Sequence, residues 1–165
     1  MENSVGHLIA AIRDKNWPVV RRAIKMAATG NLSDIPSAKF HTVWIETGHR
    51  IREQVLNDRL LLDALRNLLP KYAGSGLELY RGENIDRWKG RACGFAWTTE
   101  EKIARMFASG LNAVDSGGVL LSTIAPAEAI IAGPNEHSVY LGENEYVVDW
   151  KLLGEIAELE YFPWG

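Results

Sequence analysis

Residues 74–82 read GSGLELYRG, and the periodicity of the chain changes here. Gly74-Ser75-Gly76 is typical of a flexible hinge. Apolar and polar residues then alternate from Leu77 to Gly82, as expected of a half-buried strand that ends on arginine and glycine. The chain before the hinge has helical spacing, and the chain after it is rich in strand patterns. Helices first and short strands afterwards predict an α+β fold.

Before the hinge, apolar residues recur at helical spacing in four segments, which are residues 5–12, 17–29, 40–55 and 60–69. Trp17-Pro18 opens the second helix, because proline in the first turn costs no helical hydrogen bond. Pro70 ends the fourth helix. His41, His49 and Arg50 in the third segment could line a cleft, but we interpret each of them as a satisfied or surface residue.

After the hinge, strand patterns occupy residues 77–82, 94–99, 119–125, 129–131, 143–150 and 156–161. A short amphipathic helix is predicted at residues 100–109. Thr98 or Thr99 would be its hydroxyl cap, and glutamates in the first turn would suit the helix dipole. Residues 133–142 are predicted to form a loop.

Length and composition favour a single domain, since 165 residues with 47% hydrophobic content can bury one core. It would contain a helical subregion, residues 1–72, and a β-rich core, residues 76–165. No apolar run approaches the roughly 18 residues that a membrane span needs, and the N-terminus lacks a signal-peptide pattern. We therefore expect a cytoplasmic protein, or one exported into a host cell without a cleaved signal peptide, and no membrane partner.

Cysteine and histidine content bears on metals and disulfides. Cys93 is the only cysteine, and the four histidines are scattered without zinc-ligand spacing. We expect neither an internal disulfide nor a metal site.

Charge is unevenly distributed along the chain. Residues 1–75 carry 11 Lys and Arg against 7 Asp and Glu, a net +4, whereas residues 76–165 carry 7 against 14, a net −7. The basic front half could lie against an anionic ligand or partner. Solvated helix faces explain the same charge at least as well.

Three motifs in the second half could carry chemistry. In Tyr80-Arg81-Gly82, a strand-end arginine offers a bidentate donor fork and the glycine would let a ligand approach the backbone. A solvated arginine or a surface ion pair is the simpler interpretation of this motif alone.

The second motif is Trp97-Thr98-Thr99, where hydroxyls lead into a helix N-terminus that can accept an anion. By itself it indicates only a helix cap. The third is Glu143-Asn144-Glu145, which would place two carboxylates on one face of a strand, where they must be hydrated, paired or used. An exposed strand face explains this pair about equally well.

The order of these motifs resembles the catalytic core of the mono-ADP-ribosyltransferases of the arginine-serine-glutamate class. The matching elements are YRG at 80–82, GFxxT at 94–98 with AxxFA at 104–108, and ExE at 143–145 before an apolar strand. The resemblance covers about residues 77–150. It implies a two-sheet β core, with a helical N-terminal part that packs beside it and helps wall the NAD cleft.

The resemblance also implies roles for the residues. Glu145 would stabilise the oxocarbenium-like ribose and hold its 2′-hydroxyl, and Glu143 would orient and deprotonate the acceptor. Arg81 would bind the phosphate or ribose of NAD. The rest of the cofactor site would comprise Tyr80, Gly82, Trp97, Thr98 and Thr99, with Trp97 against nicotinamide. Tyr140, the aromatic residue of the 133–142 loop, would recognise the target.

One position departs from the family pattern. Counting back from the AxxFA helix sets Ala96-Trp97-Thr98 against Ser-Thr-Ser, so the first hydroxyl is absent. A lost neutral hydrogen bond costs about 0.5–1.5 kcal/mol, which would slow a reaction without abolishing it.

The sequence thus predicts transfer of ADP-ribose from NAD, as co-substrate, to arginine of a protein target, with release of nicotinamide. Such a protein would act as a toxin or effector. The alternatives are NAD hydrolysis, ADP-ribosylation of nucleic acid, and an inactive binding module that keeps the fold. The sequence leaves the target and the oligomeric state open.

Overall fold

The computed structural model describes residues 3–33 and 36–164. These residues fall into two units that divide between Lys71 and Tyr72, next to the end of the predicted helical subregion at residue 72. None of the described helices is long and apolar enough to cross a membrane.

The described residues of the first unit form the four predicted helices. They are α1 (Val5–Arg13), α2 (Trp17–Ala28), α3 (Ala38–Val55) and α4 (Asp58–Leu68). Three of them begin with a side-chain cap, in which Ser4, Ser37 or Asn57 accepts a backbone N–H three residues ahead. The core of this unit is built from the apolar stripes of the four helices and includes Leu8, Ile24, Phe40, Ile51 and Leu65, all fully buried.

The second unit is built on strands. The described strands are β1 (Leu77–Asn84), β2 (Ala96–Thr98), β3 (Gly118–Ala125), β4 (Ile130–Ala132), β5 (Glu145–Val148) and β6 (Ile156–Phe162). Three α-helices connect them, namely α5 (Ile85–Lys89), α6 (Glu101–Ser109) and α7 (Glu136–Tyr140). Helices followed by an antiparallel sheet confirm the predicted α+β class.

The sheet has the strand order β4-β5-β2-β1-β3-β6, with antiparallel neighbours throughout. β1 and β3 form a long ladder that runs from Leu77 opposite Ala125 to Asn84 opposite Gly118. β1 and β2, in contrast, meet only at Tyr80 opposite Thr98. The described strands therefore form one sheet of two three-stranded groups joined at a single pair, where the resemblance implied two separate sheets.

Helix α6 packs closely against β1. A Cβ added to Gly82 would lie 2.2 Å from the carbonyl oxygen of Ala104 and 2.4 Å from the nitrogen of Ala108. Glycine is therefore needed here because the helix backbone touches the strand. Ala104, Ala108 and Leu120 form a small buried cluster on this side of the sheet, with Tyr80 and Phe162 packed against it.

Three local predictions around the candidate motifs were wrong. The loop expected at 133–142 contains helix α7, which begins after Asn135, whose side chain accepts the Ser138 N–H. The strand expected at 143–150 spans only Glu145–Val148, because Gly142 (φ +76°) and Asn144 (φ +45°) adopt left-handed conformations that interrupt an extended strand. Glu143 lies in this turn, so the two glutamates do not share a strand face. The N-cap of α6 is Glu100, and Thr98 Oγ1 instead accepts the Glu100 N–H at 3.1 Å.

Candidate functional site

The three predicted motifs lie on adjacent strands, in the order β5-β2-β1. Thr98 on the middle strand pairs with Tyr80 on β1 and with Glu145 on β5. One row of residues across the sheet therefore joins YRG, AWTT and the second glutamate of ENE, although they are far apart in sequence.

Arg81 is held in place on this part of the sheet. Its Nε donates to Glu83 Oε2 at 2.8 Å, and its Nη1 donates to the carbonyl oxygen of Ala96 at 2.7 Å. Only 13% of the Arg81 side chain and none of the Glu83 side chain is exposed. Glu83 also accepts the backbone N–H groups of Gly94 and Asn84, at 2.9 and 2.8 Å. The guanidinium is thus fixed by a buried carboxylate whose own oxygens are satisfied.

Each member of this pair stabilises the ionised form of the other. Burial alone would raise the pKa of Glu83, but the charge of Arg81 and the hydrogen bonds from Gly94, Arg81 and Asn84 outweigh it and hold that pKa below its ordinary value. Burial alone would lower the pKa of Arg81, and the charge of Glu83 outweighs it, so that pKa is raised. Both groups stay ionised at neutral pH.

Gly94 makes room for the guanidinium. A Cβ at this position would lie 2.1 Å from Arg81 Nη2 and 2.4 Å from Arg81 Cζ. The glycine of the GFxxT motif therefore permits Arg81 to reach Glu83 and Ala96.

Glu145 is the most perturbed carboxyl group that the described residues contain. Burial, and after it the negative charge of Glu143, raise the pKa of Glu145 to about 7 against the opposing positive charge of Arg81. A group that titrates near neutrality and senses two charged neighbours is a good candidate for catalysis. Although Glu143 is not on the strand, its charge still acts on Glu145.

Ser138 on α7 positions the glutamate segment. Its hydroxyl oxygen accepts the N–H of Glu145 at 2.6 Å, and its carbonyl oxygen accepts the N–H groups of Glu143 and Asn144 at 3.1 and 3.4 Å. Ser138 is itself fully buried, and its N–H donates to Asn135 Oδ1 at 2.8 Å. All three residues of the ENE motif are therefore tied to one serine.

The turn is also tied to α6, since the Asn144 side-chain amide donates to a carboxylate oxygen of Glu100. Asn tolerates the left-handed backbone that Asn144 adopts, which explains its place between the two glutamates.

Several residues predicted to bind the cofactor have other roles in the structure. The ring of Tyr80 packs against the α6 cluster and its hydroxyl donates to Glu78 at 2.8 Å. Gly82 is covered by α6 and offers no path to a ligand, which corrects that prediction. Trp97 is 1% exposed, and its Nε1 donates to the Gly94 carbonyl oxygen at 3.3 Å. Trp97 is thus a core residue, and the prediction that it packs against nicotinamide is corrected.

The two threonines differ from each other. Thr98 is buried in the row with Glu145, whereas Thr99 is exposed at the end of β2. Tyr140, the predicted target-recognition residue, is 86% exposed at the end of α7. Its neighbours Val139 and Leu141 are also exposed, so an apolar surface lies beside the glutamate turn.

Sequence reasoning missed Glu83 and Ser138. Glu83 follows Arg81 by two residues, and this spacing places both side chains on one face of a strand, so the pair was available as a signal. Ser138 gave no comparable signal, because its partners depend on how the 133–142 segment folds.

Among residues 3–33 and 36–164, no group of three or more His, Cys, Asp or Glu side chains could hold a metal ion. Comparisons of the chain with protein-family models, with curated proteins and with solved structures find no match.

Proposed function

We propose that this protein is a mono-ADP-ribosyltransferase that uses NAD as co-substrate and modifies arginine in a protein target. The observation that carries this proposal is the surroundings of Glu145. Its carboxyl group has a pKa near 7, senses the charges of Arg81 and Glu143, and sits in one row with Thr98 across adjacent strands. The order β5-β2-β1 supports an ADP-ribosyltransferase type of core as part of the same proposal.

In the proposed reaction the bond between nicotinamide and ribose breaks, and its electron pair leaves with nicotinamide. The ribose becomes oxocarbenium-like, and the ionised Glu145 carboxylate stabilises this positive charge. A target guanidinium nitrogen then forms a bond to the ribose carbon, and its proton passes to Glu143 and on to water. One NAD and one arginine thus yield ADP-ribosyl-arginine, nicotinamide and one proton.

Arg81 is suited to bind the NAD phosphate or ribose oxygens. A guanidinium has five N–H donors, and the bonds to Glu83 and Ala96 use two of them. We assign the remaining N–H groups to the ligand, and the ion pair with Glu83 already orders the side chain. Arg81 Nη1 donates to the backbone carbonyl oxygen of Ala96, so this bond does not depend on the side chain at position 96.

The glutamate turn supports an acceptor role for Glu143. Glu143 lies outside β5, in the turn next to the exposed surface formed by Val139, Tyr140 and Leu141. A target protein that docks on this surface would bring its arginine to Glu143.

The test uses purified protein, NAD labelled in the adenylate part, and a cell lysate as a source of acceptors. We expect labelled protein, and mass spectrometry should find ADP-ribose on arginine. Glu145→Gln should abolish labelling, and Glu136→Gln, an exposed glutamate on α7, should leave it unchanged.

The other outcomes separate the alternatives. Nicotinamide release without a labelled macromolecule would indicate NAD hydrolysis, and label on nucleic acid would indicate that class of acceptor. If the protein releases no nicotinamide from NAD with any lysate, whether or not it binds NAD, the proposed enzyme activity is wrong.

A further inference from the structure

A pocket of about 350 Å³ opens on the first unit, apart from the glutamate site in the second. It is formed where the connection between α1 and α2 meets the C-terminal half of α3. Its lining residues are Lys15, Trp17, His49, Arg50, Glu53 and Gln54. The volume falls within the range of small-molecule sites, about 300–1,000 Å³.

Positive charge predominates around this pocket. Lys15 and Arg50 line it, and Arg21 reaches its rim, where Nη1 donates to the carbonyl oxygen of Gln54 at 3.5 Å. Of the described residues that line the pocket, Lys15 and Arg50 are cations and Glu53 is the one carboxylate. An anionic group would therefore be attracted to this pocket.

The backbone of Lys15 is well defined where it lines the pocket. Its φ is +55°, a left-handed conformation in which glycine is the favoured residue. Hydrogen bonds from Lys15 N to Ile12 O at 3.1 Å and from Asn16 N to Ala11 O at 2.9 Å fix this conformation. These two bonds form the usual C-terminal motif that ends α1, and they fix the backbone from which the Lys15 side chain lines the pocket.

Trp17 supplies an aromatic surface next to these cations. It is half-buried at the start of α2 and lines the pocket. A tryptophan beside a cationic groove is the combination that binds a base by stacking and a phosphate by charge.

We propose that this pocket binds a nucleotide, with its phosphate on Lys15 and Arg50 and its base on Trp17. Free nucleotides and single-stranded nucleic acid both carry a base next to a phosphate, so the experiment must distinguish them. The proposal does not depend on the NAD reaction, because no residue of the pocket belongs to the glutamate site.

The experiment measures equilibrium binding of 5′-AMP and of a fluorescent ten-nucleotide oligothymidylate to the full chain at low salt. The test variant is Lys15→Gly with Arg50→Gln, which removes two cations and relieves one left-handed residue. The matched control is Leu56→Gly with Arg59→Gln. Leu56 has the same φ of +55° and Arg59 is exposed, and neither lines the pocket. The control removes one cation, so Lys39→Gln is added to equalise the change in charge.

We expect at least about a tenfold loss of affinity in the test variant, because the loss of one hydrogen bond to a charged group weakens binding by about that factor. The control loses no such bond, so its affinity should fall by less than about twofold. Both variants should keep the NAD reaction of wild type. Tighter binding of AMP than of the oligonucleotide, per site, indicates a free nucleotide, and the reverse indicates nucleic acid.

Two results would overturn the proposal. One is that neither probe binds wild type at millimolar concentration. The other is that test and control variants lose affinity equally, which would indicate general charge attraction. A failed NAD reaction with intact, Lys15-dependent binding would contradict only the proposed enzyme function.

Discussion

Arg81 and Glu83 form a buried ion pair two residues apart on one strand, with Nε and Oε2 separated by 2.8 Å. Glu83→Gln would keep the shape of the side chain and leave the buried guanidinium without its counter-charge. We expect the free energy of unfolding to fall by about 3 kcal/mol, measured by urea denaturation at pH 7. Glu78→Gln, an exposed glutamate on the same strand, is the control and should cost less than about 1 kcal/mol. Equal losses in the two variants would show that the ion pair contributes no special stability.

Gly94→Ala tests the space beside the guanidinium. The end of an arginine side chain usually moves at little cost, but Glu83 and Ala96 hold this one. The added methyl group should therefore destabilise the fold by about 1–3 kcal/mol and weaken NAD use. Gly6→Ala on α1, where the nearest atom would be 3.8 Å away, should leave stability unchanged or slightly higher. A neutral Gly94→Ala variant with full activity would contradict the packing described here.

Ser138→Ala tests the support of the glutamate segment. The variant keeps the Ser138 carbonyl but removes the hydroxyl that accepts the Glu145 N–H. We expect a stability loss of about 1–2 kcal/mol and a fall in kcat for nicotinamide release, with KM for NAD little changed. Ser109→Ala on α6, whose hydroxyl donates to its own helix, should affect neither quantity. A changed KM with an unchanged kcat would indicate that Ser138 does not position the catalytic carboxyl group.

The raised pKa of Glu145 predicts a dependence of stability on pH. The folded protein holds this proton up to about pH 7, whereas an ordinary glutamate releases it near 4.5. Between these values the folded state binds more protons than the unfolded state, so stability falls as pH rises, by at most about 3 kcal/mol. Relative to wild type, Glu145→Gln should thus gain stability between pH 5 and pH 8, and Glu136→Gln should not. The measurement is urea denaturation at both pH values. A constant difference between Glu145→Gln and wild type would mean that Glu145 titrates normally.

The sequence predicted those features that depend on local patterns. Alternation identified β1, and the apolar stripes identified α1 to α4 and α6. The order of the motifs groups Arg81, Thr98 and Glu145, and the structure places their strands next to one another. What failed depended on contacts between distant segments. The sequence around Gly82 does not indicate that the backbone of α6 packs against this residue.

The glutamate pair illustrates the same limit at shorter range. Period-two spacing suggested a shared strand face, but left-handed residues on both sides of Glu143 place it in a turn. Trp97 was assigned to the cofactor because it lies within a motif, whereas burial makes it a core residue. His49 and Arg50 were interpreted as satisfied or surface residues, because only the folded connection at Lys15 and Trp17 makes a pocket beside them.

The central claim, that Glu145 acts on NAD, is tested most directly by the rate of nicotinamide release by wild type and Glu145→Gln between pH 5.5 and 8.5. We expect a wild-type kcat/KM that rises with pH through about 7, because only the ionised carboxylate stabilises the ribose cation. We also expect at least about a hundredfold lower kcat for Glu145→Gln, with NAD affinity within a few-fold of wild type. Equal rates for the two proteins, or the same pH profile in both, would contradict that claim.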